Sequence, residues 1–337
     1  MKWALCTLVL LTDATTAGKT AVVIQEAQAT AKIPAVGAVA FNSEEVTTFE
    51  IAGTTRINGK ITVKKDSLWH IGSDAKAMTA TLMALLVEKK LLKWDTTMAE
   101  VFPKLAPGFH ADAQKTTIIQ LLSHTAGLPA NPKGFERALS RHNVTKIGLA
   151  QKPTEGFLYS NFGYIIAGAV IEKTLDTTWE KAIQEHLFKP LGIKSVGFGA
   201  PQGESSMHGH WKGQPTSRDN PPMYGPAGGL HLSLSDWVLF CQDQIKGHHG
   251  KGKLLTKASY QKLHTPIEKN YALGWGVKTK DGEIVRLQHD GSNTMWYARA
   301  VLDLEHQRGR LVVMNTAAED AVPWISKVGD TLSLKAE

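Results

Sequence analysis

Ser73-Asp74-Ala75-Lys76 pairs a hydroxyl with an amine at a spacing that can do chemistry. A serine hydroxyl is a weak nucleophile at its own pKa and needs a base within hydrogen-bond reach. On a helix, a lysine three residues later lies one turn away on the same face. For Lys76 to act as that base, burial or neighbouring positive charge must bring it well below the ordinary value of about 10.4. Backbone N–H groups at a helix start point toward a developing anion, so the amide of Ser73 would form half of an oxyanion hole. The same spacing recurs at Ser259-Tyr260-Gln261-Lys262 in a polar setting, so context must separate the two. Only Ser73 follows an apolar entry, Leu68-Trp69-His70-Ile71-Gly72, and opens a long apolar stretch. Without a partner, Ser73 would be an ordinary helix N-cap.

Two further groupings carry suitable chemistry. Tyr159-Ser160-Asn161 offers a phenol that can pass a proton to a leaving group and an amide that can hold a substrate carbonyl. The plain alternative is an aromatic turn packed on the core. His289-Asp290-Gly291-Ser292 ends an expected strand. Gly291 there would let backbone approach a ligand, and the amide of Ser292 would complete the oxyanion hole. His-x-Gly recurs at His70 and His248, so it is the strand end that favours His289 over a simple turn histidine.

The elements that must position these groups follow from periodicity. Residues 21–32 have helix-forming composition, and 35–41 and 46–54 read as β-branched strands around a polar turn. From Met78 to Leu92 the apolar residues recur at helical spacing, predicting a largely buried helix. To about Lys262 helical stretches alternate with turn clusters at 106–108, 127–132 and 225–229. After Tyr271 the spacing predicts a hairpin around Lys280-Asp281-Gly282, strands over 296–304 and 310–315, and a helix over 322–334. The expected fold class is therefore α/β (α+β): an antiparallel sheet flanked by terminal helices, plus an inserted all-helical lobe. Residues 21–70 and 263–337 would form the sheet lobe and 71–262 the mainly helical lobe, with the active site in the cleft between them.

In that order and approximate spacing, Ser73-x-x-Lys76, Tyr159-x-Asn161 and His289-x-Gly291 resemble the class C β-lactamase and DD-peptidase superfamily, which includes related esterases and D-amino-acid peptidases. Gly72-Ser-Asp-Ala-Lys-Ala-Met-Thr-Ala-Thr-Leu, Leu121-Leu-Ser-His-Thr-Ala-Gly-Leu-Pro and Gly225-Pro-Ala-Gly-Gly-Leu-His-Leu-Ser-Leu-Ser-Asp look like it too, and the resemblance covers nearly the whole chain. It implies a β-lactamase/transpeptidase-like fold and an acyl-enzyme on Ser73 that water cleaves, with no metal or organic cofactor. Lys76 and Tyr159 would share the proton transfers, Asn161 would position the substrate, and the amides of Ser73 and Ser292 would hold the oxyanion. One departure bears on substrate. Where penicillin-hydrolysing relatives carry Lys-Thr-Gly, this chain has His-Asp-Gly. A mostly neutral imidazole beside the Asp290 carboxylate is a poor anchor for a substrate carboxylate. Neutral esters or amine-ended substrates are expected instead, with esterase or amidase activity ahead of β-lactamase or D-peptidase activity.

Other function classes fit less well. At 337 residues and 42% hydrophobic composition the chain can bury a sizeable core. The net charge of +7 is spread along it without aromatic platforms, so a solvated basic surface is expected and nucleic acid is not; a small-molecule ester, amide or β-lactam substrate is what the resemblance implies. No serine has glycine at both flanking positions of a Gly-x-Ser-x-Gly elbow, which removes the α/β-hydrolase reading. There is no His-Glu-x-x-His, and His248-His249 reads as part of an exposed loop over residues 245–257, so no metal site is expected. Gly18-Lys19-Thr20 lacks the leading glycine of a phosphate loop, with Asp13 in its place. Cys6 and Cys241 do not suggest a disulfide. Residues 1–17, with Lys2 before an apolar run, resemble a short signal peptide, pointing to a periplasmic or secreted protein; that run is too short to span a membrane. The rival from another class is a non-catalytic binding protein on the same fold.

Overall fold

The computed structural model describes residues 4–132, 140–203 and 206–332. Six strands form one antiparallel sheet: β1 (Ala35–Asn42), β2 (Val46–Gly53), then, late in the chain, β3 (Gly276–Lys280), β4 (Glu283–Ser292), β5 (Tyr297–Asp303) and β6 (Arg308–Met314). Their order is β2-β1-β6-β5-β4-β3. The first strand is therefore seated between the second and the last, with Val36 opposite Met314 and Ala38 opposite Val312. Seven of the eight β1 residues are buried, because both sheet faces are covered. The β3–β4 hairpin turns at Asp281 (φ +53°) and Gly282 (φ +86°), the paired left-handed residues that match strand twist.

One face of the sheet packs on α1 (Ala4–Ala31) and the C-terminal helix (Val322–Thr331) through Ile24, Ala27, Val36, Val312, Ile325 and Val328. Residues 1–3 of the expected leader and residues 333–334 of the expected last helix lie outside the described residues. No described helix is long and apolar enough to cross a membrane. The other face meets the larger core, centred on α2 (Ala75–Glu88), whose residues 75–86 are all buried. That helix stops before Leu92. Lys90 turns left-handed (φ +58°), and the Leu91 amide donates back to the Leu86 carbonyl, closing the helix with no glycine to announce it. The helix α3 (Asn161–Leu175) starts where the Ser160 hydroxyl accepts from the Gly163 amide at 3.0 Å.

The lobe expected to be built of helices and turns also contributes short strands. Gly197–Phe198 and Leu230–Leu232 join Trp69–His70 in a three-stranded sheet, and Gly209–Trp211 pairs with Gln214–Thr216. Two or three residues are too few for alternation to register. His248 is likewise not in a surface loop. It closes the helix Leu234–His248, and its Nδ1 lies 3.1 Å from Nδ1 of the buried His264.

Candidate active site

Ser73 stands on a single 3₁₀ turn, Gly72–Asp74, that leads directly into α2. The turn lies against the end of β4, and two glycines make this contact possible. Gly72 is left-handed (φ +52°), and a Cβ there would sit 2.4 Å from the Ser292 amide nitrogen; one on Gly291 would sit 1.8 Å from the Ile71 carbonyl oxygen. Pairing of β4 with β3 ends at Gly276 opposite Gln288, so from His289 to Ser292 one edge of β4 has no strand beside it. That bare edge and the first amides of the Ser73 turn converge, the geometry needed to cradle an oxyanion.

Lys76 is completely buried, and its ammonium has three acceptors: Ser73 Oγ at 3.0 Å, Asn161 Oδ1 at 2.7 Å and the Ala227 carbonyl at 2.6 Å. The rings of Tyr159 and Tyr164 lie 4.9 and 5.4 Å from Nζ. Burial pulls the amine well below the ordinary lysine value, against an opposing pull from Asp74. Asp74, itself 2% exposed and with neither carboxylate oxygen hydrogen-bonded, is pushed well up by burial and then by the charge of Asp290. The site therefore holds a base of lowered proton affinity in contact with a serine hydroxyl, the requirement for nucleophile activation.

Around this pair stands a shell of rings. The Tyr159 ring is 4.2 Å from that of His124, and burial raises its phenol, countered in part by a hydrogen bond with Ser73. Tyr159 therefore stays protonated at neutral pH and can relay a proton. His124 is left-handed (φ +62°), accepts from the Ser160 amide through Nδ1 at 3.0 Å, and is pushed down to about 2 by burial, then by Lys76 and His289. His289 is pushed down to about 4 by burial and by Lys76. Its Nδ1 is 2.8 Å from the Asp290 carbonyl and its Nε2 is 3.2 Å from the Tyr271 hydroxyl, so Nδ1 carries the proton and Tyr271 donates.

The structure brings Ser73, Lys76, Tyr159, Asn161, Gly291 and the Ser292 amide together. Three expectations change. His289 is 7% exposed with both nitrogens engaged, so its imidazole presents no free group to a substrate; it braces Tyr271 instead. Asn161 gives its carbonyl to Lys76 and its amide to Asn131 Oδ1 at 2.8 Å, which orients the lysine. Asp290 alternates to the opposite face of the strand, where Arg299 Nη2 holds it at 2.9 Å, so its charge does not line the cleft. Ser259, by contrast, lies on a separate helix, where its amide donates to the hydroxyl of the Thr256 cap. Sequence reasoning missed His124, Tyr164, Tyr271, Asp74 and the Ala227 carbonyl. His124 and Ala227 fall in the two stretches quoted at 121–129 and 225–236, the only sequence signal they gave.

Comparison with known proteins settles the family. The beta-lactamase family model matches residues 21–328. The chain belongs to the beta-lactamase family. Within it, the chain is 34% identical over 140 residues to penicillin-binding protein 4 of Amycolatopsis lactamdurans, covering 40% of this chain and 36% of that one. It is 28% identical over 221 residues to a putative penicillin-binding protein of Bacillus subtilis, covering 62% and 53%. The chain thus matches from about a third to about half of the length of these family members. Among solved structures, a beta-lactamase from Sulfitobacter sp. EE-36 superposes with a TM-score of 0.79 at 16% identity, covering 95% of this chain and 98% of that one. A class C beta lactamase from Rhodobacter sphaeroides gives 0.77 at 19% identity, covering 93% and 98%. At these identities the superpositions establish the shared fold, a mixed arrangement of helices and antiparallel sheet.

Proposed function

We propose that the protein is a serine acyl hydrolase that cleaves esters or amides through an acyl-enzyme on Ser73. The observation that carries this is the fully buried Lys76, 3.0 Å from Ser73 Oγ and depressed in proton affinity. In its neutral form Lys76 takes the Ser73 proton as Oγ adds to the carbonyl carbon. The carbonyl oxygen becomes an oxyanion between the amides of Ser73 and Ser292. On collapse the bond to the leaving group breaks, and a proton reaches that group from Lys76 through the Tyr159 hydroxyl. Water, losing its proton to the same pair, then adds to the acyl carbon and frees Ser73.

Esterase or amidase action on a small neutral acyl compound is the first reading, because no lysine stands where the third motif carries His289. Opening of β-lactams is the second, and one observation favours it. With Asp290 turned away and paired to Arg299, the repulsion of a substrate carboxylate expected from sequence is largely removed. Intact-protein mass spectrometry after a fluorophosphonate or a penicillin, on native protein and on Ser73→Ala, separates the readings. Phosphonate labelling with little penicillin adduct supports the esterase or amidase. A penicillin adduct that forms and decays quickly moves lactam hydrolysis first. Folded protein with no Ser73-dependent label overturns catalysis and leaves a binding protein.

A further inference from the structure

His70 and Asp219 form a buried acid–imidazole pair that the acylation steps do not use. His70 is 1% exposed and its Nε2 lies 2.9 Å from Asp219 Oδ2. The Gly72 amide donates to His70 Nδ1 at 3.1 Å, so the proton of the neutral ring sits on Nε2, the nitrogen in contact with Asp219. The other Asp219 oxygen accepts from Asn293 Nδ2 at 2.7 Å and from the Asn220 amide at 2.7 Å. Asn293 in turn, through Oδ1, accepts from the amides of Met295 at 3.2 Å and Trp296 at 3.1 Å. Burial pushes the Asp219 carboxyl up, but its close contact with His70, with the donors from Asn293 and Asn220, holds it below its ordinary value.

The two ends of this chain of polar contacts are what give it meaning. One end is the amide of Gly72, the peptide before Ser73; the other is the side chain of Asn293, the residue after Ser292. These flank the two amides assigned to the oxyanion. Gly72 occupies a left-handed conformation within reach of the Ser292 amide, so a small rotation of either peptide alters the gap between the two donors. An oxyanion hole works by donors fixed in advance at 2.7–3.1 Å from the oxyanion, and a fixed gap requires a rigid tie across it. Backbone hydrogen bonds within the Ser73 turn cannot supply that tie, because they end inside the turn. The route through Asp219 can, since it crosses from the turn to the strand end through a third segment.

We propose that the His70–Asp219–Asn293 chain is the positioning element of the oxyanion hole, setting the spacing of the Ser73 and Ser292 amides; this rests on the acyl-hydrolase reading above. The role assigned to it is to position the donors, not to react. Loss of the tie slows formation of the tetrahedral intermediate and leaves ground-state binding unchanged, which separates it from a merely structural brace.

The test compares wild type with Asp219→Ala, His70→Ala and His70→Gln by three measurements: the rate of Ser73 phosphonylation, kcat and KM on a p-nitrophenyl ester, and Tm. Wild type that fails to label at Ser73 overturns the hydrolase reading before any variant is compared, and the brace with it. Given labelling, Asp219→Ala and His70→Ala are expected to lower kcat and the phosphonylation rate by about 10- to 100-fold with KM within about twofold. His70→Gln can accept from the Gly72 amide and donate to Asp219, and is expected to recover to within about fivefold of wild type. The double variant His70→Ala with Asp219→Ala should be no slower than the slower single one, because one chain is cut twice. Unchanged kcat in Asp219→Ala overturns the proposal. So does a His70→Gln protein that melts like wild type yet stays as slow as His70→Ala.

Discussion

Lys76 has three acceptors in van der Waals surroundings that disfavour its charge, and this conflict sets its chemistry. Acylation is expected to rise with pH through an ionisation well below the ordinary lysine range, since only the neutral amine accepts the Ser73 proton. A kcat/KM profile on a neutral ester would show that limb, and Lys76→Met would remove activity by about 10³-fold or more. Asp74 is the group that opposes the shift. Replacing it by asparagine removes the charge that favours the ammonium, so the limb should move to lower pH in Asp74→Asn. A limb that stays in place or moves to higher pH would contradict the coupling. The Ser73–Lys76 spacing was legible in sequence because it depends on one helical turn. Asp74 was not, because its effect arises from burial that an acidic side chain does not announce.

At the scale of elements, the site depends on a strand edge lying directly on a helix start. Gly291→Ala would put a methyl group 1.8 Å from the Ile71 oxygen. The expected result is a loss of about 100-fold in kcat, read by ester turnover, because the edge must retreat from the Ser73 turn. The opposite outcome is expected at the far end of the same helix. Lys90 holds a left-handed conformation that glycine adopts without strain. Lys90→Gly should therefore raise stability by about 0.5 to 1 kcal/mol, measured as a higher urea midpoint with turnover unchanged. Elements with a repeating signal were readable in advance. The β1–β2 pair, the Asp281-Gly282 hairpin and the body of α2 all matched their periodicity or turn chemistry. Elements of two or three residues were not, nor was the stop at Lys90, since a lysine at a helix end resembles one more exposed helical residue. His124 escaped for a related reason. Its contribution depends on a left-handed backbone that folds its ring back against Tyr159 and the Ser160 amide, a placement no period encodes.

For the whole molecule, the buried imidazoles couple stability to pH. His124 and His289 have folded values of about 2 and 4, below the unfolded histidine value of about 6.5. Their contribution is therefore complete above about pH 6.5 and is lost as pH falls toward the folded values, because the unfolded chain binds protons the folded one refuses. Between pH 6 and 4 each should remove roughly 1.4 kcal/mol per pH unit. Urea unfolding at pH 7, 6 and 5 would show a falling midpoint, and His289→Gln should make the fall shallower; an equal slope in that variant would contradict the assignment.

The seating of β1 between β2 and β6 also constrains how the protein is made. The hydrogen bond from the Ala35 amide to Asn315 Oδ1 at 2.8 Å joins positions 280 residues apart. At a ribosomal rate of about 5 to 20 residues per second, β1 waits roughly 15 to 55 s for its central partner to be synthesised. Throughout that interval an apolar strand, Ala35–Asn42, has an unpaired edge that any other extended chain could occupy. Ser73 and Lys76 emerge early, but the Ser292 edge that completes the site comes more than 200 residues later. Catalytic competence therefore arrives late in synthesis, so a prematurely terminated chain would hold the reactive pair without the cradle that directs it.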